Sequence, residues 1–315
     1  MSDLYAERDI KPMLIGTESE PFDSPDCIYE LKLDGERCIA YLDPEGGTEL
    51  RNKRNVRMLP KVPELSELHK HVGRRCILDG ELAVIKAGKP DFFEIQRRSL
   101  MSNPLKIELA ARQYPACFTA FDILYLDDHA VTDRPLMERK GLLQDVATSE
   151  SPRFAVSRYI EERGTAFYEL AKAQALEGIV AKKKDSRYYQ DKRTKDWIKI
   201  KYLQDDDFVV CGYIPKENNM TSIVLGQYRD GALICKGHVT LGVGGESFRR
   251  IRELRRIDHP AFDVPAGNED AVWVEPRLAC TVKYMMKTAA GGMRQPVFKG
   301  LREDKRPEEC VEEWE

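Results

Sequence analysis

The chain has 315 residues, 42% hydrophobic and 33% charged, with 50 basic and 53 acidic side chains and a net charge of −3. That length suits about two domains, and the composition excludes fibrous and disordered classes. The charge argues against a protein that coats nucleic acid through bulk positive charge, and the eight cysteines, none in a CxxC pair, form neither a disulfide framework nor a zinc site.

No apolar run approaches the roughly 18–20 residues of a membrane span. The N-terminus, MSDLYAERDIKPM, lacks the apolar core of a signal peptide. A cytoplasmic protein with no membrane partner is expected. In chain order, apolar runs rich in Ile, Val, Phe and Tyr predict strands at 27–33, 38–42 and 75–85. A helix at 92–101, a strand at 117–126 and helices at 137–147 and 165–176 follow. Strands at 178–182 and 197–201 complete a mixed α/β region. At Asp205, Asp206 and Asp207 the character changes, and a polar hinge is predicted there. Beyond it lie strands at 208–214, 223–228 and 232–239. Arg229-Asp230-Gly231 marks a hairpin between the last two. A basic helix at 246–257 and a strand at 271–284 come next. Short strands with one helix fit a small Greek-key barrel such as the OB fold. Residues 1–203 are neutral overall, and residues 204–315 carry the whole −3. The terminal EECVEEWE holds five of those negative charges, and without it the second region is about +2.

The chemistry centres on Lys32-Leu33-Asp34-Gly35-Glu36-Arg37, just after an apolar strand. A lysine at a strand end, followed by a turn-forming Asp-Gly, presents its amine at the lip of a sheet. Glycine lets the backbone approach a ligand closely. A lysine amine becomes a nucleophile when neighbouring positive charge or desolvation disfavours its protonated form. Taken alone, the Lys32–Gly35 tetrapeptide more readily describes an exposed lysine beside a turn, since such tetrapeptides arise by chance. Other elements follow in order. Glu81 in Leu78-Asp79-Gly80-Glu81 is an acid in an apolar strand. Phe121 in FTAFDIL is either core or a platform for a base. Glu177 enters the strand Gly178–Lys182. Lys199 and Lys201 share one face of a period-2 strand, where a solvated lysine face is the plain alternative. Arg302-Glu303-Asp304-Lys305 is a charge run near the C-terminus.

Together these segments resemble the nucleotidyltransferase motifs of ATP-dependent DNA ligases. KLDGER resembles the adenylated-lysine motif, and LRNKR the strand that follows it. LDGEL, FDIL, LEGIVAKK and WIKIK resemble the remaining motifs of the catalytic domain, and GLREDK the terminal motif. Trp273-Val274-Glu275-Pro276 and RQPVFKGLREDK are similar to the ligase domain of bacterial end-joining (LigD-type) enzymes. The resemblance implies an α+β nucleotidyltransferase (adenylation) domain at 1–203, followed by a small OB-fold β-barrel domain at 204–315.

It also implies three nucleotidyl transfers. Lys32 takes AMP from ATP, AMP passes to the 5′-phosphate of a DNA nick, and the 3′-hydroxyl displaces AMP to seal the strand. Lys199 and Lys201 would disfavour protonated Lys32 and neutralise the α-phosphate. Glu81 and Glu177 would hold Mg²⁺ or Mn²⁺, with Glu81 also near the ribose. Arg37 and Arg51 would face sugar or phosphate, and Phe121 would stack on adenine. Glu30, two residues before the nucleophile, would accept from the adenine 6-amino group and repel a 6-oxo group. Arg302, Asp304 and Lys305 would orient the pyrophosphate once the second domain swings over the site. Arg193 would track DNA phosphates, as would Arg249, Arg252 and Arg256 on one helical face.

Two positions depart from the family pattern, with Asp191 and Lys53 standing where glycine is common. The expected partners are nicked or broken double-stranded DNA and a Ku-like end-binding protein, with the enzyme a monomer near the bacterial nucleoid. Competing readings are an RNA ligase, a capping-type nucleotidyltransferase, or a non-catalytic OB-fold nucleic-acid-binding protein. With basic residues gathered in a pocket and a few patches, the low net charge predicts modest, salt-sensitive DNA affinity.

Overall fold

The computed structural model describes residues 4–288 and 291–312. Glu313, Trp314 and Glu315 of the acidic tail lie outside the described residues. The chain divides into two compact units, Met1–Tyr202 and Leu203–Glu315.

The first unit begins with the short helix α1 (Leu4–Glu7) and strands β1 (Leu14–Glu18), β2 (Ser24–Leu31), β3 (Glu36–Asp43), β4 (Gly47–Asn52), β5 (Cys76–Lys86) and β6 (Lys89–Pro90). Helices α2 (Phe92–Leu100) and α3 (Pro104–Gln113) precede β7 (Ala116–Leu126) and β8 (His129–Ala130). Then come α4 (Leu136–Val146), β9 (Phe154–Val156), β10 (Tyr159–Glu162), α5 (Gly164–Ala173), β11 (Gly178–Lys183) and β12 (Arg193–Lys201). Asp91 caps α2 by accepting from the Glu94 N–H, and Asn103 caps α3 ahead of Pro104.

These strands build two sheets. One runs β1-β12-β11-β2-β10, with β1 parallel to β12 and the other pairs antiparallel. Strand alternation sends Tyr29, Ile179, Ala181 and Ile200 to a face covered by Ala171 of α5. Glu30, Val180, Lys182 and Trp197 go to the other face. The second sheet runs β4-β3-β5-β7-β8, with β6 on β5 and β9 on β7. One of its faces buries Cys38, Ala40, Leu78 and Phe118 beneath Ile95 of α2 and Leu143 of α4. Its other face sets Ile39, Tyr41, Ile77 and Leu124 against Val180, Tyr188 and Trp197 of the first sheet. Where this shared apolar layer gives way to Arg37, Asp79, Glu81 and Phe121, a cleft opens between the sheets.

The second unit contains β13 (Gln204–Pro215), β14 (Met220–Arg229), β15 (Ala232–Gly242), α6 (Glu246–Glu253), β16 (Val272–Trp273), β17 (Ala279–Tyr284), β18 (Met286–Lys287), β19 (Met293–Arg294) and β20 (Val297–Arg302). Asp230 and Gly231 both take positive φ, +51° and +80°, as a two-residue hairpin requires. The antiparallel path β15-β14-β13-β17-β20 brings its end strands together into an OB-type barrel. Helix α6 plugs the barrel with Phe248 and Ile251 against Phe208, Val210 and Val282.

Three expectations are corrected here. Asp205, Asp206 and Asp207 are not a hinge but lie inside β13, opposite Lys283, Val282 and Thr281 of β17. The strand expected at 271–284 is two strands, because Pro276 between them supplies no N–H to a ladder. Helix α6 ends at Glu253, so Arg256 lies outside it, bridging to Val274.

Candidate active site

Lys32 sits on the turn between β2 and β3 at the mouth of the cleft. Its backbone N–H donates to the Gly178 carbonyl at 2.9 Å, which ties the turn to β11. Two glycines make this close packing possible. A Cβ on Gly35 would fall 2.1 Å from the Leu82 carbonyl oxygen. Gly178 has a φ of +131° and lies against the Ile200 carbonyl. The Lys32 amine, on a side chain 21% exposed, lies 2.7 Å from Glu177 Oε1.

The inner part of the cleft has both apolar and ionic walls. Val180 of β11 lies beside Glu30 of β2, its register partner, and Phe121 and Trp197 close the pocket. The Glu30 carboxylate is buried between two lysines. Lys182 Nζ donates to Oε2 at 2.7 Å, and Lys140 Nζ of α4 donates to Oε1. Lys182 Nζ also lies 4.4 Å from the Phe121 ring centroid and 4.1 Å from that of Trp197. Desolvation pulls the Lys182 ammonium down to about 8, although Glu30 opposes that shift. Arg37 lies 4.5 Å from the Phe121 centroid. Its Nε and Nη2 each donate to the buried Asp79 carboxylate at 2.6 Å, and the Tyr188 hydroxyl donates to the same group at 2.6 Å. Among the described residues, no hydrogen bond uses Nη1 of Arg37, which leaves it for a ligand. Arg51 is paired with Glu49 at 2.7 Å and donates to the Asn55 carbonyl at 3.2 Å.

At the cleft mouth, desolvation pushes the Glu81 carboxyl up to about 8, opposed by Arg37 and Lys32 and reinforced by Glu177 and Asp79. Two carboxylates thus share one electrostatic neighbourhood, Glu81 lining the cleft and the Glu177 side chain buried against Lys32. Among the described residues, no three His, Cys, Asp or Glu side chains form a ready-made metal site. The pair fits Mg²⁺, which takes one or two carboxylates and completes its shell with phosphate and water. Lys199 and Lys201 face the same side of β12. Glu18 Oε2 lies 3.0 Å from Lys199 and 3.9 Å from Lys201. Burial lowers the Lys201 ammonium, opposed by Glu18 and reinforced by Lys199. One carboxylate therefore faces both lysines.

In the second unit, Arg302 and Lys305 converge on Asp207 of β13, at 3.2 and 2.7 Å. Asp304 accepts from Arg302 Nε and Nη2 at 2.7 and 2.6 Å. The other basic candidates are exposed. Arg193 donates to the Ile15 carbonyl at 2.6 Å, Arg249 pairs with Glu246 at 3.3 Å, and Arg256 reaches the Tyr213 hydroxyl at 3.4 Å. Arg249 and Arg252 ride on α6.

The structure thus brings Glu30, Lys32, Arg37, Glu81 and Phe121 to one cleft, with Glu177 paired to Lys32. Lys140, Tyr188 and Glu18 are not singled out by the sequence, and Asp79, Lys182 and Asp207 appear there only within motifs or as a hinge, with no role in the site. One signal for Lys140 was available. Arg139 and Lys140 occupy the helical spacing that joins the buried Leu136 and Leu143, a place for apolar residues.

Residues 13–201 match the family model described as ATP dependent DNA ligase domain, and 216–305 match the ATP dependent DNA ligase C terminal region. The chain is 31% identical to the SPbeta prophage-derived DNA ligase-like protein LigB of Bacillus subtilis, over 93% of this chain and 99% of that protein. It is 29% identical to the multifunctional non-homologous end joining DNA repair protein LigD of Mycobacterium tuberculosis. That match covers 90% of this chain but only 37% of the relative's length. A mycobacterial DNA ligase D structure, complexed with ATP and MES, superposes with a TM-score of 0.57 at 27% identity, covering 97% of this chain and 99% of that one. No helix among the described residues is long and apolar enough to cross a membrane. With matching models over both units, a cleft built around a strand-end lysine in the first and an OB barrel in the second, the chain belongs to the ATP-dependent DNA ligase family.

Proposed function

We propose that this chain seals breaks in duplex DNA at the expense of ATP, through AMP carried on Lys32. The observation that carries this reading is the Lys32 amine at the cleft mouth, 2.7 Å from Glu177 and within the electrostatic reach of Glu81. Lys32 loses its proton to solvent, with Lys199 and Lys201 disfavouring its ammonium form, and Nζ attacks the α-phosphorus. The N–P bond forms as the bond to the pyrophosphate oxygen breaks. Lys199 and Lys201 release Glu18 and take up the growing charge on the α-phosphate. Phe121 and Val180 sandwich the adenine, and Glu30 accepts from its 6-amino group. Arg37 offers Nη1 to the sugar, and Arg51 faces phosphate. Glu81 and Glu177 are the groups that would hold Mg²⁺ or Mn²⁺, which supplies charge neutralisation at the phosphates.

Arg302, Asp304 and Lys305 orient the pyrophosphate in this first transfer only. AMP then moves to a 5′-phosphate, and the 3′-hydroxyl displaces it. Arg193, Arg249, Arg252 and Arg256 hold DNA phosphates, giving a salt-dependent affinity. The LigD relatives, named for non-homologous end joining, support a place in end joining with broken DNA ends as substrate. A Ku-like end-binding partner and a monomeric enzyme in the bacterial cytoplasm are further parts of the proposal. The test is incubation with α-labelled ATP or GTP, then a chase with nicked DNA or nicked RNA. ATP should give an acid-labile protein label that moves to nicked DNA. Label from GTP alone, or label that moves only to RNA, overturns the assignment.

A further inference from the structure

Glu30 lies two residues before Lys32, and its carboxylate is excluded from water, at 2% exposure. The partners it meets there therefore set its chemistry toward a base. An ionised carboxylate only accepts hydrogen bonds, whereas a protonated one also donates. The ionised form matches a 6-amino group, and the protonated form also matches a 6-oxo group. The choice between purines therefore depends on what holds the Glu30 oxygens in place as acceptors.

Two lysines do so, and they are not equivalent. Lys182 lines the cleft beside Phe121, where an incoming nucleotide can engage it. Lys140 comes from α4, is not among the cleft-lining residues, and is buried. Its ammonium is held between Glu30 Oε1 and the Tyr159 ring, whose centroid is 5.7 Å away. Tyr159 is the register partner of Glu30 across β10. The neighbouring Arg139 donates twice to Asp122, the residue after Phe121, at 2.8 Å each. One helical turn thus anchors both the acid wall and the aromatic wall of the same pocket. Leu143 and Val146 pack that helix into the core.

We propose that Lys140 is the positioning residue for base selection, holding Glu30 as a fixed, ionised acceptor for a 6-amino purine nucleotide. The inference rests on the proposed function, and labelling of the wild-type enzyme by ATP tests that reading first. If the wild type takes no label from ATP, the function fails. If it takes label, the Lys140 variants decide the inference separately.

The readout is the ratio of self-adenylation kcat/KM for ATP to the corresponding value for inosine triphosphate, which carries 6-oxo and N1–H where ATP has 6-amino and a bare N1. Lys140→Met should lower this ratio about 10- to 100-fold, mainly through the KM for ATP. Lys140→Arg, which keeps the charge, should restore most of it. In a Glu30→Gln background, Lys140→Met should lower the ratio no further, since it acts through Glu30. Lys140→Gln keeps a polar head without the charge and serves if Lys140→Met does not fold. It should show the same loss, with folding checked by circular dichroism. An unchanged ratio in the folded neutral variant overturns the proposal, as do equal kcat losses for both nucleotides or an additive loss in the Glu30→Gln background.

Discussion

Asp79→Asn is the sharpest structural perturbation. Asp79 is fully buried and accepts three hydrogen bonds of 2.6 Å, two from Arg37 and one from Tyr188. An amide at this place offers one acceptor oxygen and turns an N–H toward a donor. Arg37 then remains largely buried with its charge uncompensated, which typically costs about 3–5 kcal/mol. For a unit of this size, about 2–4 °C of melting temperature accompanies each kcal/mol. The first unit should therefore melt about 6–20 °C lower. Differential scanning calorimetry of the full chain measures this directly. Arg37→Met combined with Asp79→Asn removes the stranded charge and should recover at least half of the loss. A single variant melting within about 2 °C of wild type would refute the reasoning. So would a double variant no better than the single one.

Alanine at Arg302 or Lys305 should lower self-adenylation about 100-fold or more, while sealing of a pre-adenylated nick falls only a few-fold. Equal losses in the two assays reject the pyrophosphate role. Lys182 sets a pH signature. Its ammonium titrates near 8 in the folded state and near 10.5 when free, so between those values the unfolded chain binds more protons. Its contribution to stability therefore rises with pH across that window and is lost as pH falls through 8. Urea unfolding at pH 8 and 10 should show wild type gaining about 2 kcal/mol relative to Lys182→Met. No relative gain contradicts the burial of a charged Lys182.

The central strands were legible because apolar runs such as CILDGELAVIK leave few alternatives to a buried strand, and β5 and β7 follow their predicted limits closely. Edge elements were not. Strand β1 mixes half-buried and exposed positions, and α3 leaves Leu105 and Leu109 exposed, so neither shows a clean apolar face. Asp205, Asp206 and Asp207 read as a linker because three adjacent carboxylates repel in isolation. In the fold, Tyr284 donates to Asp206, and Thr281 and Lys305 donate to Asp207. The same distance in sequence hid part of the site. Glu30 and Lys140 are 110 positions apart, and Asp79 and Tyr188 are 109 apart. Motif spacing picks out the groups proposed to touch the nucleotide. It is blind to the buried partners that fix those groups, since such partners come from elements whose packing only the fold supplies. The net charge misled for a related reason: acids such as Glu18, Asp207 and Glu312 sit directly against cations and cancel them in the sum.

The covalent role of Lys32 is the central claim, and peptide mapping tests it most directly. The full chain is incubated with ATP and Mg²⁺, digested, and sequenced by tandem mass spectrometry with and without Lys32→Ala. AMP should appear as a phosphoramidate on the peptide carrying Lys32, should vanish in Lys32→Ala, and should be lost on addition of nicked duplex DNA. AMP found on another residue, or adenylation that survives Lys32→Ala, would contradict the account.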